Sequence, residues 1–128
     1  MRIPLAALLL LVACQDRDDT LTGHADGTWH LVEAEGAEAP PGTTLDLSEP
    51  GRISGQAPCN RYEAPISGSY PGFETGGIVT TRMACPDLPL ETRYIAALDG
   101  ATRAELVDGR LVISDGAGAA MVYVRADP

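Results

Sequence analysis

Residue types able to carry acid–base or nucleophilic chemistry are sparse in this chain, and their spacing matches no catalytic pattern. The two histidines, His24 and His30, have no cysteine or serine at a motif distance. A lone histidine in a strand, as at His30, belongs to surface or packing rather than to catalysis. The run Gly68-Ser69-Tyr70-Pro71-Gly72 puts its serine one place too early for a nucleophile elbow, so it reads as a turn. There is no lysine, which removes Schiff-base and ammonium chemistry. Glu63, Glu74 and Glu91 could act as acid and base only if the fold gathered them. No catalytic residue and no cofactor is therefore assigned. The spaced acids Asp16, Asp18, Asp19 and Asp26 lack the loop pattern and distal glutamate of a calcium site. Two cysteines without histidine partners make a poor zinc site, so no metal is expected.

The cysteines carry more information. Cys14 closes a leader in which Met1-Arg2 gives a positive start and residues 3–13 are apolar or neutral. Those eleven residues are too few to cross a bilayer, which takes about 20 in a helix, and they match the core of a secretory signal peptide. The leader ends Leu11-Val12-Ala13-Cys14, which is similar to the lipobox of bacterial lipoproteins. That similarity implies cleavage after residue 13 and a diacylglycerol on Cys14, with an ordinary secretory leader as the alternative. Several acyl chains anchor stably because each buried methylene contributes about 0.8 kcal/mol. Gln15, where aspartate would favour the inner membrane, points to the periplasmic face of the outer membrane. Residues 14–27 then form the lipidated terminus and an acidic tether, and residues 28–126 form the domain.

With Cys14 assigned to lipid, Cys59 and Cys85 remain as a pair in an exported, oxidised chain. A disulfide between them would close a loop of about 27 residues and stabilise by roughly 3–4 kcal/mol. Two separately buried thiols are the alternative. Asn60 tolerates left-handed turns and is expected to fix the turn beside Cys59. Arg61 and Arg82 would lie near one another if the bridge forms, as a small basic spot able to grip a carboxylate or phosphate, unless each pairs with a neighbouring acid. Asn60, Arg61 and Arg82 are the candidate binding residues.

These positions need elements to hold them. The 128 residues suffice for one domain, and 45% hydrophobic content is a globular composition. Aromatics are few, so Val, Ile, Leu and Ala must fill most of the core. The net charge of −9 is repelled by phosphate backbones and anionic lipid surfaces, which excludes nucleic acid as a partner. Short alternating runs predict strands at 28–34, 43–47, 52–56 and 78–81, with 68–75 glycine-rich and unassigned. Gly55 marks a bend or a close approach. A helix is expected after Asp87 as its cap, with Pro89 in the first turn and Glu91 complementing the dipole. Leu90, Tyr94, Ala97 and Leu98 share one face, and Gly100 stops it. Strands at 104–107 and 110–114 flank Asp108-Gly109, a strong hairpin signal. A second turn through Asp115-Gly116 leads to a last strand at 120–125. Strands, one helix, then strands predict an α+β domain on a curved antiparallel sheet.

Around the two cysteines the sequence resembles the META domain family, also called HslJ-like. The matching residues are Gly27-Thr28-Trp29-His30-Leu31, then Gly55-Gln56-Ala57-Pro58-Cys59-Asn60-Arg61-Tyr62, then Thr81-Arg82-Met83-Ala84-Cys85-Pro86. Glu91, the run from Tyr94 to Leu98 and the hairpin at Gly109-Arg110-Leu111 complete the match, which spans residues 27–124. Pro58 departs from the glycine usual before the first cysteine. The resemblance implies a β-rich fold, an incomplete barrel with one helix packed against it. It also implies an envelope lipoprotein linked to heat shock and antibiotic tolerance, with no established enzymatic activity. The fold is similar, too, to a type III secretion pilot lipoprotein that binds lipid and escorts a partner. The expectation is a monomeric, non-enzymatic lipoprotein that binds an envelope protein. A carrier or sensor of a small apolar ligand or lipid is one alternative, and a hydrolase or protease inhibitor is the other.

Overall fold

The computed structural model describes residues 20–126. The expected signal peptide, the acylated Cys14 and the first part of the tether lie outside the described residues. The chain begins with a helical turn, α1 (Leu21–His24), followed by β1 (Thr28–Ala34), β2 (Ala37–Glu38), β3 (Thr44–Asp46), β4 (Arg52–Gln56) and β5 (Arg61–Ser67). Two short strands, β6 (Glu74–Thr75) and β7 (Val79–Thr80), precede the main helix α2 (Leu88–Asp99). The strands β8 (Arg103–Val107), β9 (Arg110–Ser114) and β10 (Ala120–Arg125) complete the fold.

The sheet is antiparallel throughout, in the order β6-β5-β4-β3-β1-β10-β9-β8, with β2 added to β1 and β7 added to β5. It curls until its two ends nearly meet. The segment just before β6 bridges to β8: Gly72 pairs with Arg103. The Ala104 amide donates to the Pro71 carbonyl at 2.8 Å and the Phe73 amide to Thr102 at 3.0 Å. Tyr70 Oη accepts the Leu106 amide at 2.8 Å. The fold is thus the expected incomplete barrel with a helix packed against it.

The period-2 patterns explain which side chains fill the interior. Trp29 and Leu31 from β1, Leu45 from β3, Ile53 from β4 and Leu111 and Ile113 from β9 are all buried. Thr43 and Leu47 flank β3 and are buried with it. The β8–β9 hairpin turns through Asp108 and Gly109, both at positive φ (54° and 80°), as a two-residue turn between right-twisted strands requires. Asp115 closes the next turn by accepting the Ala117 and Ala119 amides at 2.8 and 3.1 Å.

Two features differ from the sequence reading. Strand β5 was not among the expected strands, and Pro65 sits inside it. Ile66 donates its amide to Gly51 on the β4 side, while Arg61 donates to Thr81 Oγ1 on the other. Pro65, in phase with Arg61, therefore turns its missing N–H to the side where β7 has ended at Glu63 and β6 has not begun until Ile66. The tether also ends earlier than Gly27. Leu21 and Ala25 are buried in the core, and the Trp29 indole donates to the Ala25 carbonyl at 2.9 Å. Those two apolar residues, one helical turn apart, pack despite their acidic surroundings.

Gly55 supplies the close approach that its place in β4 suggested. A Cβ there would overlap the Thr44 carbonyl of β3 and lie 3.0 Å from Tyr62 Oη. Gly55→Ala should lower stability by roughly 1–3 kcal/mol, because two paired strands must part to admit one methyl. Urea unfolding checks this, and a change below about 0.5 kcal/mol would refute the close packing.

Candidate functional site

The most constrained point in the molecule is a buried carboxylate. Glu91, on the first turn of α2, is only 4% exposed. Its position predicted a dipole-complementing surface acid. Instead its side chain turns to the β4–β5 turn. Oε1 accepts the Cys59 and Asn60 amides, both at 2.7 Å, and Oε2 accepts Asn60 Nδ2 at 2.8 Å. Burial pushes the carboxyl up, but the Asn60 side chain, the Asn60 amide and the Cys59 amide together outweigh it. The net result is a carboxyl below its ordinary value.

Asn60 spends its whole hydrogen-bonding capacity. Nδ2 donates to Glu91 and, at 3.2 Å, to the Met83 carbonyl. Oδ1 accepts Thr81 Oγ1 at 3.0 Å and the Met83 amide at 2.7 Å. Both donors and both lone pairs are used, so the candidate binding role of Asn60 gives way to a structural one. Cys59 and Cys85 form a disulfide that spans the same segments covalently. The Ala57 amide donates to the Asn60 carbonyl at 2.8 Å, so the turn closes with Pro58 in place of glycine. Asp87 makes no side-chain cap bond, since its φ and ψ of −90° and 12° lack the extended geometry of an N-cap. The Glu91 bracket, not a cap, anchors the start of α2.

The bracket aims the rest of the helix. Tyr94, one turn on, reaches the barrel interior, where its hydroxyl lies 3.0 Å from Tyr62 of β5 and 2.9 Å from Tyr123 of β10. Tyr62 donates its proton to the Thr44 carbonyl at 2.8 Å. Each hydroxyl has one proton, so Tyr94 must donate to Tyr62. Burial raises all three phenols well above their ordinary value, with the neighbouring phenols adding to the rise at Tyr94. The chain of hydroxyls is neutral, satisfied and structural. The sequence placed Tyr94 on the packed face of the helix but gave none of the three hydroxyls a role.

Two concavities flank α2. On one side lies a cavity of about 170 Å³ between the helix and β1, β9 and β10, floored by Leu31, Leu90, Tyr94, Ile113 and Met121. Leu90 and Ala97, predicted to be on the buried face, are only half-buried because they line this space. On the other side an open groove of about 660 Å³ runs between α2 and residues 78–84, with Ile78, Met83, Leu88 and Ile95 in its walls. Arg82 lines this groove, whereas Arg61 sits exposed on the outward face of β5 and does not. Neither arginine is in an ion pair among the described residues, where Arg52–Glu63 and Arg103–Glu105 are the pairs seen. The three glutamates considered as acid and base are apart: Glu63 holds Arg52, Glu74 is exposed on β6, and Glu91 is buried in the bracket. His24 stacks on Tyr70 with ring centroids 4.0 Å apart, and His30 is exposed on β1. No group of three or more metal-ligating side chains occurs among the described residues.

Comparison with known proteins agrees with this architecture. The META domain family model matches residues 19–128. No curated protein matches the chain at a significant level. An NMR structure of a protein from Burkholderia xenovorans superposes with a TM-score of 0.68 at 24% identity, covering 98% of this chain and 100% of that one. The crystal structure of a DUF4847-family protein from Bacteroides vulgatus gives 0.65 at 14% identity, covering 81% and 95%. At these identities the two structures share the fold.

The bracket makes stability depend on pH. The folded Glu91 value lies below the unfolded one of about 4.3. Its contribution is therefore fully present above that unfolded value and lost as pH falls through the folded one. Urea unfolding should show the native chain weakening below about pH 4.3. Glu91→Gln should be weaker by roughly 2 kcal/mol at pH 7, because an amide N–H₂ must face amide donors. It should also show a flatter acid limb, and equal limbs for the two proteins would show that other carboxylates carry the effect.

Proposed function

This chain belongs to the META domain family, and from that premise we propose that it is a non-enzymatic lipoprotein of the cell envelope that binds a partner protein. It is acylated on Cys14, faces the periplasm from the outer membrane, and supports envelope integrity or stress tolerance. The leader ending at Cys14 supports the anchor. The observation that carries the binding role is the groove beside β7. That strand pairs on one side only, with β5. In the groove beside it Met83 is 60% exposed, next to the partly buried apolar side chains of Ile78, Leu88 and Ile95.

An unpaired strand edge facing a helix across an apolar trough takes an extended peptide by strand addition. The partner's segment adds to β7 and places an apolar side chain between Met83 and Ile95. Arg82, in no ion pair among the described residues of an acidic protein, favours a carboxylate on that segment. The same groove gives no support to hydrolysis, because its one buried acid is held by three donors. A second reading, the carrier of a small apolar ligand, is favoured by the cavity on the opposite side of α2.

Site-specific photocrosslinking in cells tests the first reading. A crosslinker at Thr80, an exposed residue of the groove, should give a discrete adduct that is lost when Met83→Asp is added, and one at Arg110 beside the β8–β9 turn should not. Cys14→Ser should shift the protein from the membrane to the soluble fraction and weaken the adduct. An equally strong adduct from Arg110 would remove the groove from consideration.

A further inference from the structure

The cavity beneath α2 has a floor and a mouth of opposite chemistry. Its floor is mostly apolar; the Tyr94 hydroxyl there is held by Tyr62 and Tyr123, and Thr43 and Ser114 add two further hydroxyls to the lining. The floor therefore offers contact mainly to hydrocarbon. Glu35, Glu38 and Arg93 are exposed residues of the lining and Asp115 is half-buried, so these four form the mouth. Glu35, in the turn between β1 and β2, and Glu38, at the end of β2, make one lip. None of the four is in an ion pair among the described residues. Asp115 Oδ1 is engaged only by backbone amides. Three carboxylates against one guanidinium leave the mouth net negative, on a protein already at −9.

We infer that this cavity binds a small amphiphile whose apolar part enters beneath α2 and whose head is cationic or neutral, and that it rejects the same chain carrying a carboxylate. The inference rests on the carrier reading above and names the ligand class. An apolar protein cavity of about 150 Å³ accommodates benzene, so a volume of about 170 Å³ takes an apolar group of about six carbons. Selection comes from the mouth. A cationic head gains from the carboxylates while an anionic head is repelled, and both effects are screened by salt.

The test uses the full chain bearing Cys14→Ser, which carries no acyl group and needs no detergent. Hexylammonium, hexan-1-ol and hexanoate are titrated while the methyl resonances of Leu31, Ile113 and Met121 are followed by NMR. Hexylammonium and hexanol should shift these resonances saturably. Hexanoate should bind at least about fivefold more weakly than hexylammonium at low salt, with the gap narrowing in about 0.5 M sodium chloride. Glu35→Gln with Glu38→Gln should bring the two charged probes together and leave hexanol unchanged. Ala97→Phe should fill the cavity and abolish all three titrations. If that variant fails to fold, Ala39→Leu, from the opposite wall, serves in its place. No saturable shift with any probe overturns the carrier reading itself. Hexanoate binding as tightly as hexylammonium leaves the carrier reading standing and overturns the assignment of the head.

Discussion

A buried ionised carboxylate is costly unless every lone pair facing the protein is met by a donor. Glu91 meets that condition with two turn amides and the Asn60 amide group, and the arrangement works in one geometry only. The β4–β5 turn must present its amides inward, α2 must start at the right height, and the 81–83 segment must lie against Asn60. Three stretches distant in sequence are thus locked by one side-chain pair. The Cys59–Cys85 disulfide limits how far the same stretches separate in the unfolded chain, so covalent and polar constraints act on one place. The cap that α2 lacks at Asp87 is made unnecessary by this pairing.

With the start of α2 held, Tyr94 is carried to the middle of the barrel. Its hydroxyl touches β5 and β10, which are separated in the sheet by β4, β3 and β1. The helix therefore acts as a wedge hydrogen-bonded to opposite walls. A wedge leaves space on both flanks. One is the mostly apolar cavity against β1, β9 and β10, and the other is the more open groove against β7. The two concavities that support a binding role are consequences of how one helix is pinned.

Much of the sheet was legible because its signals are local. Period-2 alternation located β1, β4 and β10 at their observed bounds, and Asp108-Gly109 announced the last hairpin. Strand β5 carried the same alternation in Tyr62, Ala64 and Ile66, but Pro65 argues against a strand until its neighbours are known. The proline is tolerated only because β7 and β6 leave a gap opposite it. The packing of α1 was hidden for a related reason. Leu21 and Ala25 are two apolar residues among acids, and nothing nearby in sequence tells that Trp29 and the core receive them.

By itself the sequence determined the fold class and the family resemblance, because hydrophobic period, turn chemistry and short motifs act over a few residues. Only the tertiary structure decided what Glu91, Asn60 and the tyrosines do. Glu91 read as a dipole-complementing acid at a helix start, Asn60 as a turn former and candidate binding residue, and Arg61 as half of a basic spot with Arg82. In three dimensions Asn60 is saturated by Glu91 and residues 81–83, while Arg61 faces outward on β5. The physical reason is that a polar side chain's role depends on whether water or protein satisfies it, and its protein partners here lie more than 20 residues away. Glu91 and Asn60, whose types first suggested chemistry, hold the fold together, and apolar space remains beside the helix they position.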